Sequence, residues 1–152
     1  MTDVRLSIEN CQCVKDASAF GVIVNDQILR KFTMSQSDTI LEKMISFAVQ
    51  IIKLCSALPN TPIGNHLANQ LLRCGTSPAP DYARAQATES PEDLFHQLGL
   101  VLKDLNELAI WLEITKRSEM VALEFVELLI SVMKENVEIT KIISSSIRAI
   151  GK

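Results

Sequence analysis

The sequence is short of aromatic residues, clustered glycine, paired cysteine and positive charge, and each shortage removes a class of function. Only 5% of the 152 residues are aromatic, against 47% hydrophobic overall. Leu, Ile, Val and Ala must therefore fill the interior, a palette that suits helix packing. The five glycines, Gly21, Gly64, Gly75, Gly99 and Gly151, are scattered, so no glycine-rich turn brings backbone amides together around a phosphate. Of the four cysteines, Cys11 and Cys13 have a single residue between them and no second pair to complete a zinc site. Cys55 and Cys74 fall on apolar helical positions and read as reduced, buried thiols. No cofactor or metal is expected. A formal charge of −3 and a pI of about 5.4 give no electrostatic argument for nucleic acid or for an anionic membrane. No basic segment leading into an apolar run opens the chain, and Glu or Lys interrupts every long hydrophobic stretch. The expected location is cytoplasmic, away from the membrane.

What the sequence does have is helical periodicity. From Asp38 to Leu58 the apolar residues Ile40, Leu41, Met44, Ile45, Ala48, Ile51, Ile52, Cys55 and Leu58 recur at spacings of three and four, with Thr39 and Glu42 placed as a capping box. Pro59 stops this run, and Thr61 with Pro62 supplies an N-cap and first position for a second helix bearing Ile63, Leu67, Leu71 and Cys74 on one stripe. That helix meets Gly75, Pro78 and Pro80. With Ser77 as a fresh N-cap, both prolines fall in the first turn, where N–H groups have no intrahelical partner, and the segment reads as a kink or restart that continues through Ala85 to Ala87. Ser90, Pro91 and Asp93 announce a third helix whose core stripe is Leu94, Leu98, Val101, Leu102, Leu105, Leu108 and Leu112. A turn at Lys116 to Ser118 leads into a fourth helix from about Glu119 to Ala149.

The pattern predicts an all-α fold, an antiparallel up-down-up-down four-helix bundle over residues 38–150, kinked near Ser77 to Pro80, after an N-terminal extension at 1–37. Within the extension, Phe20 to Val24 and Gln27 to Phe32 flank Asn25-Asp26 and suit a small hairpin. The other reading is an appended segment with no share in the core.

The fourth helix is too apolar for one core. Val121, Phe125, Leu128, Val132 and their apolar neighbours cover an arc of roughly 200°, against about 100° for a one-sided helix. On the third helix Leu100, Trp111 and Ile114 point away from the core stripe. Either these faces are covered by another subunit, with Leu100, Trp111, Ile114, Val121, Phe125, Leu128 and Val132 as the interface, or the extra arc lies deep between three neighbouring helices.

Catalytic groups are sparse. His66 and His96 are the only histidines, and a di-iron bundle needs a second Glu-x-x-His repeat that is not present. His96 with Glu107 across a subunit boundary is the one conceivable acid–base pair. Arg73, Arg84, Lys116 and Arg117 either form a patch for an anionic partner or pair with acids such as Asp81, Glu89 or Glu107.

The order of signals "QLLRCGTSPAPDYARAQATES" and "FHQLGLVLKDLNELAIWLEI" resembles the bacterial four-helix bundle protein family first noticed in proteins encoded within intervening sequences of large-subunit ribosomal RNA genes. The likeness covers about Ile40 to Ile130. It rests most on Gln70-Leu71-Leu72-Arg73, Gly75-Thr76-Ser77, Tyr82, Glu89-Ser90, Lys103, Glu107 and Trp111-Leu112-Glu113. The resemblance implies a ring-like homo-oligomer, typically a pentamer, without catalytic activity: a scaffold or adaptor for a protein or nucleic-acid partner. Relatives associated with diversity-generating retroelements look like nucleic-acid-binding accessory factors, but those are strongly basic and this chain is acidic. The chain also departs from the family pattern in having Asp81 where Asn is usual, Arg84 where Glu is usual, and Pro78 and Pro80 at positions seldom occupied by proline.

Overall fold

Each apolar stripe can leave water only against another, and four such helices arranged in a square satisfy all of them. The computed structural model describes residues 36–150; the proposed hairpin, Cys11 and Cys13 lie outside them. From Thr39 onward the chain forms one compact unit. Its elements are α1 (Gln36–Ser56), α2 (Pro62–Thr76), α3 (Pro78–Gln86), α4 (Pro91–Arg117), a 3-10 turn (Leu123–Phe125) and α5 (Val126–Ile150). There is no strand among the described residues.

Contacts across each seam run in opposite senses, which makes successive rods antiparallel. Between α1 and α2, Cys55 reaches the carbonyl of Ala68 while Ile51 meets Gly75. Between α2 and α4, Arg73 meets Glu107 and Ser77 meets Asp104. Between α1 and α5, Lys43 meets Glu138 and Gln50 meets Glu135. Between α4 and α5, Asn136 donates to the carbonyl of Leu105 while Pro91 and Ile150 share one end. These four seams close a square in the order α1, α2 with α3, α4, α5. Its interior is built from Met44, Phe47, Ile51 and Leu54 of α1, Leu71 and Cys74 of α2, Leu98, Val101, Leu105, Leu108 and Leu112 of α4, and Leu129, Val132, Ile139 and Ile143 of α5.

Local signals explain most boundaries. Thr61 accepts from the amide of Gly64 at 3.1 Å and caps α2, with Pro62 at the first position. Ser90 caps α4 by accepting from the amide of Asp93 at 3.3 Å, but the acid engaged is Glu92, which accepts the Ser90 hydroxyl at 2.9 Å. Asp93 supplies its amide rather than its carboxylate. The Thr39 and Glu42 capping box is not used, because α1 is already helical at Gln36.

The proline segment is a kink, not a capped restart. Ser77 has helical dihedrals (φ −67°, ψ −31°) and makes no side-chain cap. Its amide bonds to Arg73 and its carbonyl accepts from Asp81, so the helical ladder runs through it. Pro78 and Pro80 have no N–H to give to the carbonyls one turn back, and the axis bends where those bonds are lost. Helix α3 then continues to Gln86, and Ala87 closes it by bonding to Arg84.

The fourth rod begins later than the sequence predicts. Helix α4 ends at Arg117, Glu119 takes the left-handed conformation (φ 52°), and regular helix resumes only at Val126. A left-handed residue just past a helix end is a common terminator, but glycine usually fills it. Glu119 gives no such clue. Ile63, expected on the core stripe, is 66% exposed at the first turn of α2.

Packing dictates glycine at Gly64, where a Cβ would meet the Pro59 carbonyl oxygen, and at Gly75. A Cβ on Gly75 would sit 2.7 and 2.8 Å from the two γ-carbons of Ile51, a side chain with no exposed surface. Gly75→Ala gains helix propensity worth about 1 kcal/mol and incurs overpacking of about 1–3 kcal/mol. The expected outcome in thermal unfolding is a lower Tm for Gly75→Ala and a smaller combined loss for Gly75→Ala with Ile51→Ala than the two single losses added. Simple additivity counts against the contact.

Candidate functional site

Polar groups concentrate on two opposite sides of the square. On the α2–α4 side the Arg73 guanidinium donates to Glu107 and, at 3.3 Å, to Gln70. The same Glu107 oxygen accepts from the Trp111 indole at 3.5 Å, a contact at the limit of hydrogen bonding. His66 meets Trp111 edge-on, with ring centroids 5.7 Å apart at 73°. One turn on, the Ser77 hydroxyl faces both the Arg73 carbonyl and Asp104; it has one hydrogen, which those acceptors must share. The opposite, α1–α5 side carries Lys43–Glu138 at 2.8 Å and Gln50–Glu135 at 2.6 Å.

The Arg73 guanidinium hydrogen-bonded to Glu107 holds its carboxyl below the usual Glu range, which suits an ion-pair partner and not a general base near neutral pH. His96 lies exposed in α4, while Glu107 is already taken within its own chain. Burial pushes the thiols of Cys55 and Cys74 up to about 11, so both are protonated and poor nucleophiles. No group of three potential ligands able to hold a metal is present among the described residues.

The four cations expected as a partner site are each bonded to a carboxylate. Arg73 takes Glu107 and Arg84 takes Asp81, while Lys116 and Arg117 share Glu113 at 3.7 and 2.7 Å. They do not converge on one patch. Of the expected interface residues, Val132 and Val121 lie in the chain's own core at 0% and 8% exposure. Trp111, Phe125 and Leu128 are half-buried against that core, and only Leu100 and Ile114 stand exposed. The reason is register: α5 turns Val132 inward together with Leu129, Asn136, Ile139 and Ile143, one face of a single helix.

Seven further exposed apolar residues lie on the two remaining sides. On α1, Lys43 and Gln50 turn toward α5, whereas Ile45, Val49 and Ile52 lie beyond Cys55 on the α2 side. On α2, Leu72 lies opposite the α4-facing Arg73 and Ser77. These four form an outer α1–α2 face. On α5, Glu135 and Glu138 turn toward α1, so Ile130 and Val137 fall on the α4 side, where the antiparallel register sets Ile110 beside Ile130. Two opposite sides are thus bridged by ion pairs and polar side chains, and the other two carry exposed apolar residues, with Lys134 and Lys141 one turn from Ile130 and Val137 on α5. Periodicity shows the excess of apolar residues, but only the inter-helix register shows which of them remain outside.

Glu107, Glu113 and Glu138 are each held below the ordinary Glu range, first of all by a hydrogen bond from Arg73, Arg117 and Lys43 respectively. A carboxyl depressed on folding contributes stability that is present above its unfolded pKa of about 4.3 and is lost as pH falls through the lower folded value. Glu107→Gln should therefore lower the urea midpoint above about pH 4.5 and flatten its acid limb, so that the two curves converge as pH falls below that value. An acid limb identical to that of the parent protein contradicts the assignment. The single Trp111 reports the same transition by fluorescence.

The chain matches the family described as 23S rRNA-intervening sequence protein over residues 36–145. Among solved structures it is similar to a protein of unknown function from the S23 ribosomal protein family of Bacteroides thetaiotaomicron, at 30% identity and a TM-score of 0.66. That match covers 75% of this chain and 99% of the other. No curated protein matches.

Proposed function

The chain belongs to the 23S rRNA-intervening sequence protein family, and from this premise and its two opposite apolar faces we propose a non-enzymatic, homo-oligomeric scaffold that closes into a ring. The carrying observation is the placement of Ile45, Val49, Ile52 and Leu72 on one outer face and Ile110, Ile130 and Val137 on the opposite one, all at least 40% exposed. Two different faces on opposite sides cannot satisfy one another around a two-fold axis. They mate head to tail, and a head-to-tail contact closes a ring when each step turns by a whole fraction of a full circle and otherwise runs on as an open array. The resemblance sets the expected size at a pentamer. Reduced, protonated Cys55 and Cys74 inside the bundle support a cytoplasmic setting, and no described helix is long and apolar enough to cross a membrane.

A nucleic-acid accessory role is the second reading. Lys103, Lys134, Lys141 and Arg148 form no direct ion pair among the described residues, although Lys141 acts on Glu138 through space, and the last three recur every seventh residue along α5. A gel-shift titration with single-stranded RNA and duplex DNA at low salt decides it: a bound species that weakens steeply with salt supports the role, and no shift removes it.

For the ring, Ile110→Glu and Ile52→Glu each place a charge at a dry contact, costing about 3–5 kcal/mol of association. Both variants should sediment as helical monomers. Retention of the parent mass by either one counts against that face.

A further inference from the structure

The ends of the bundle carry a second kind of complementarity. Leu123, in the 3-10 turn between α4 and α5, is 92% exposed, the largest exposure among the bulky apolar side chains of the described residues. At the other end of the same helix pair, Pro91, Glu92 and Phe95 of α4 and Ile150 of α5 line an open notch of about 250 Å³. It is shallow for a small molecule and roomy enough for a leucine side chain. Helix α4 has 27 residues, so knob and notch lie roughly 40 Å apart along the axis. Within one chain they cannot meet.

Charges at the two ends match in the same sense. Near the knob, the last turn of α4 is basic (Lys116, Arg117) and Glu124 follows Leu123 directly. Near the notch, the first turn of α4 is acidic (Glu92, Asp93) and Arg148 precedes Ile150. Translation of one copy along the bundle axis brings Leu123 to the notch, the basic turn to the acidic turn, and Glu124 to the neighbourhood of Arg148. Helix-end charge of this kind also offsets the helix dipole within each chain, but the dipole does not account for an uncovered leucine at one end and an apolar notch at the other.

We propose that Leu123 of one copy seats in the Pro91–Phe95–Ile150 notch of a second copy, joining bundles end to end. This contact uses neither lateral face and does not depend on ring closure. Repeated without rotation, it stacks rings or strings single bundles into an open array.

The test uses the full chain with a photoreactive benzoylphenylalanine in place of Leu123. Irradiation should give intermolecular crosslinks that map to peptides containing Phe95 or Ile150. A companion variant, Leu123→Asp, alters a side chain that packs on nothing and should keep parental helicity while the weight-average mass at high concentration falls about two-fold or more, the end-to-end step being lost. In the Ile110→Glu background the same crosslink should persist, which separates failure of the ring from failure of this contact. Crosslinks only to other peptides, residues 1–35 included, or an unchanged mass for Leu123→Asp, overturn it.

Discussion

The leucine ladder of α4 is the constraint from which the other features follow. Leu98, Val101, Leu105, Leu108 and Leu112 all face inward and are essentially without exposed surface, and the helix that carries them packs on α2, α3 and α5. Burying each side chain is worth about 1.5–3 kcal/mol. With those five turned in, Ile110 and Ile114 must turn out, since residues on one helix keep a fixed angular relation. The same holds on α1, where Met44, Phe47, Ile51 and Leu54 face the core and leave Ile45, Val49 and Ile52 outside. No rotation of either helix buries both sets. The surplus apolar surface is thus a property of the bundle's own register.

That constraint also sets how legible the molecule is from its sequence. Long apolar stripes, Thr61 with Pro62 and Ser90 with Pro91 locate α1, α2 and α4, because each signal acts within a turn or two of itself. The end of α4 is hidden, since Glu119 adopts the left-handed conformation without the glycine that normally announces it. Ser77 looks like a cap, yet its backbone is helical and its hydroxyl donates to Asp104, 27 residues away. Glu107 with Arg73, and His66 with Trp111, are likewise pairs across a seam, and no local pattern encodes which turn of α2 lies beside which turn of α4. Val121 and Val132 were expected outside for the same reason: the wheel shows an arc too wide for one core, but it does not mark which edge of that arc is covered at home.

The kink ties these levels together. Losing the proline N–H groups bends the second rod, and Ser77, Asp104, Arg73 and Glu107 pin the bend to α4 on the polar α2–α4 side. Gly75 lets Ile51 approach from α1 at the same height. Asp81 and Arg84 bond to each other within α3, so the pair adds no net charge there. Buried Asn136 is less settled: its amide nitrogen donates to Leu105 at 3.1 Å, while its oxygen has no partner. A polar group half-satisfied in a core costs stability; in bundles such residues can fix the register between helices.

The central claim is that opposite apolar faces mate between copies. Native mass spectrometry of the full chain addresses it directly by counting subunits. The account predicts a discrete species at an integer multiple of the 16.9 kDa chain, with more than two copies, because a head-to-tail contact between opposite faces cannot close as a two-fold dimer. A protein that remains at 16.9 kDa across the concentration range contradicts it.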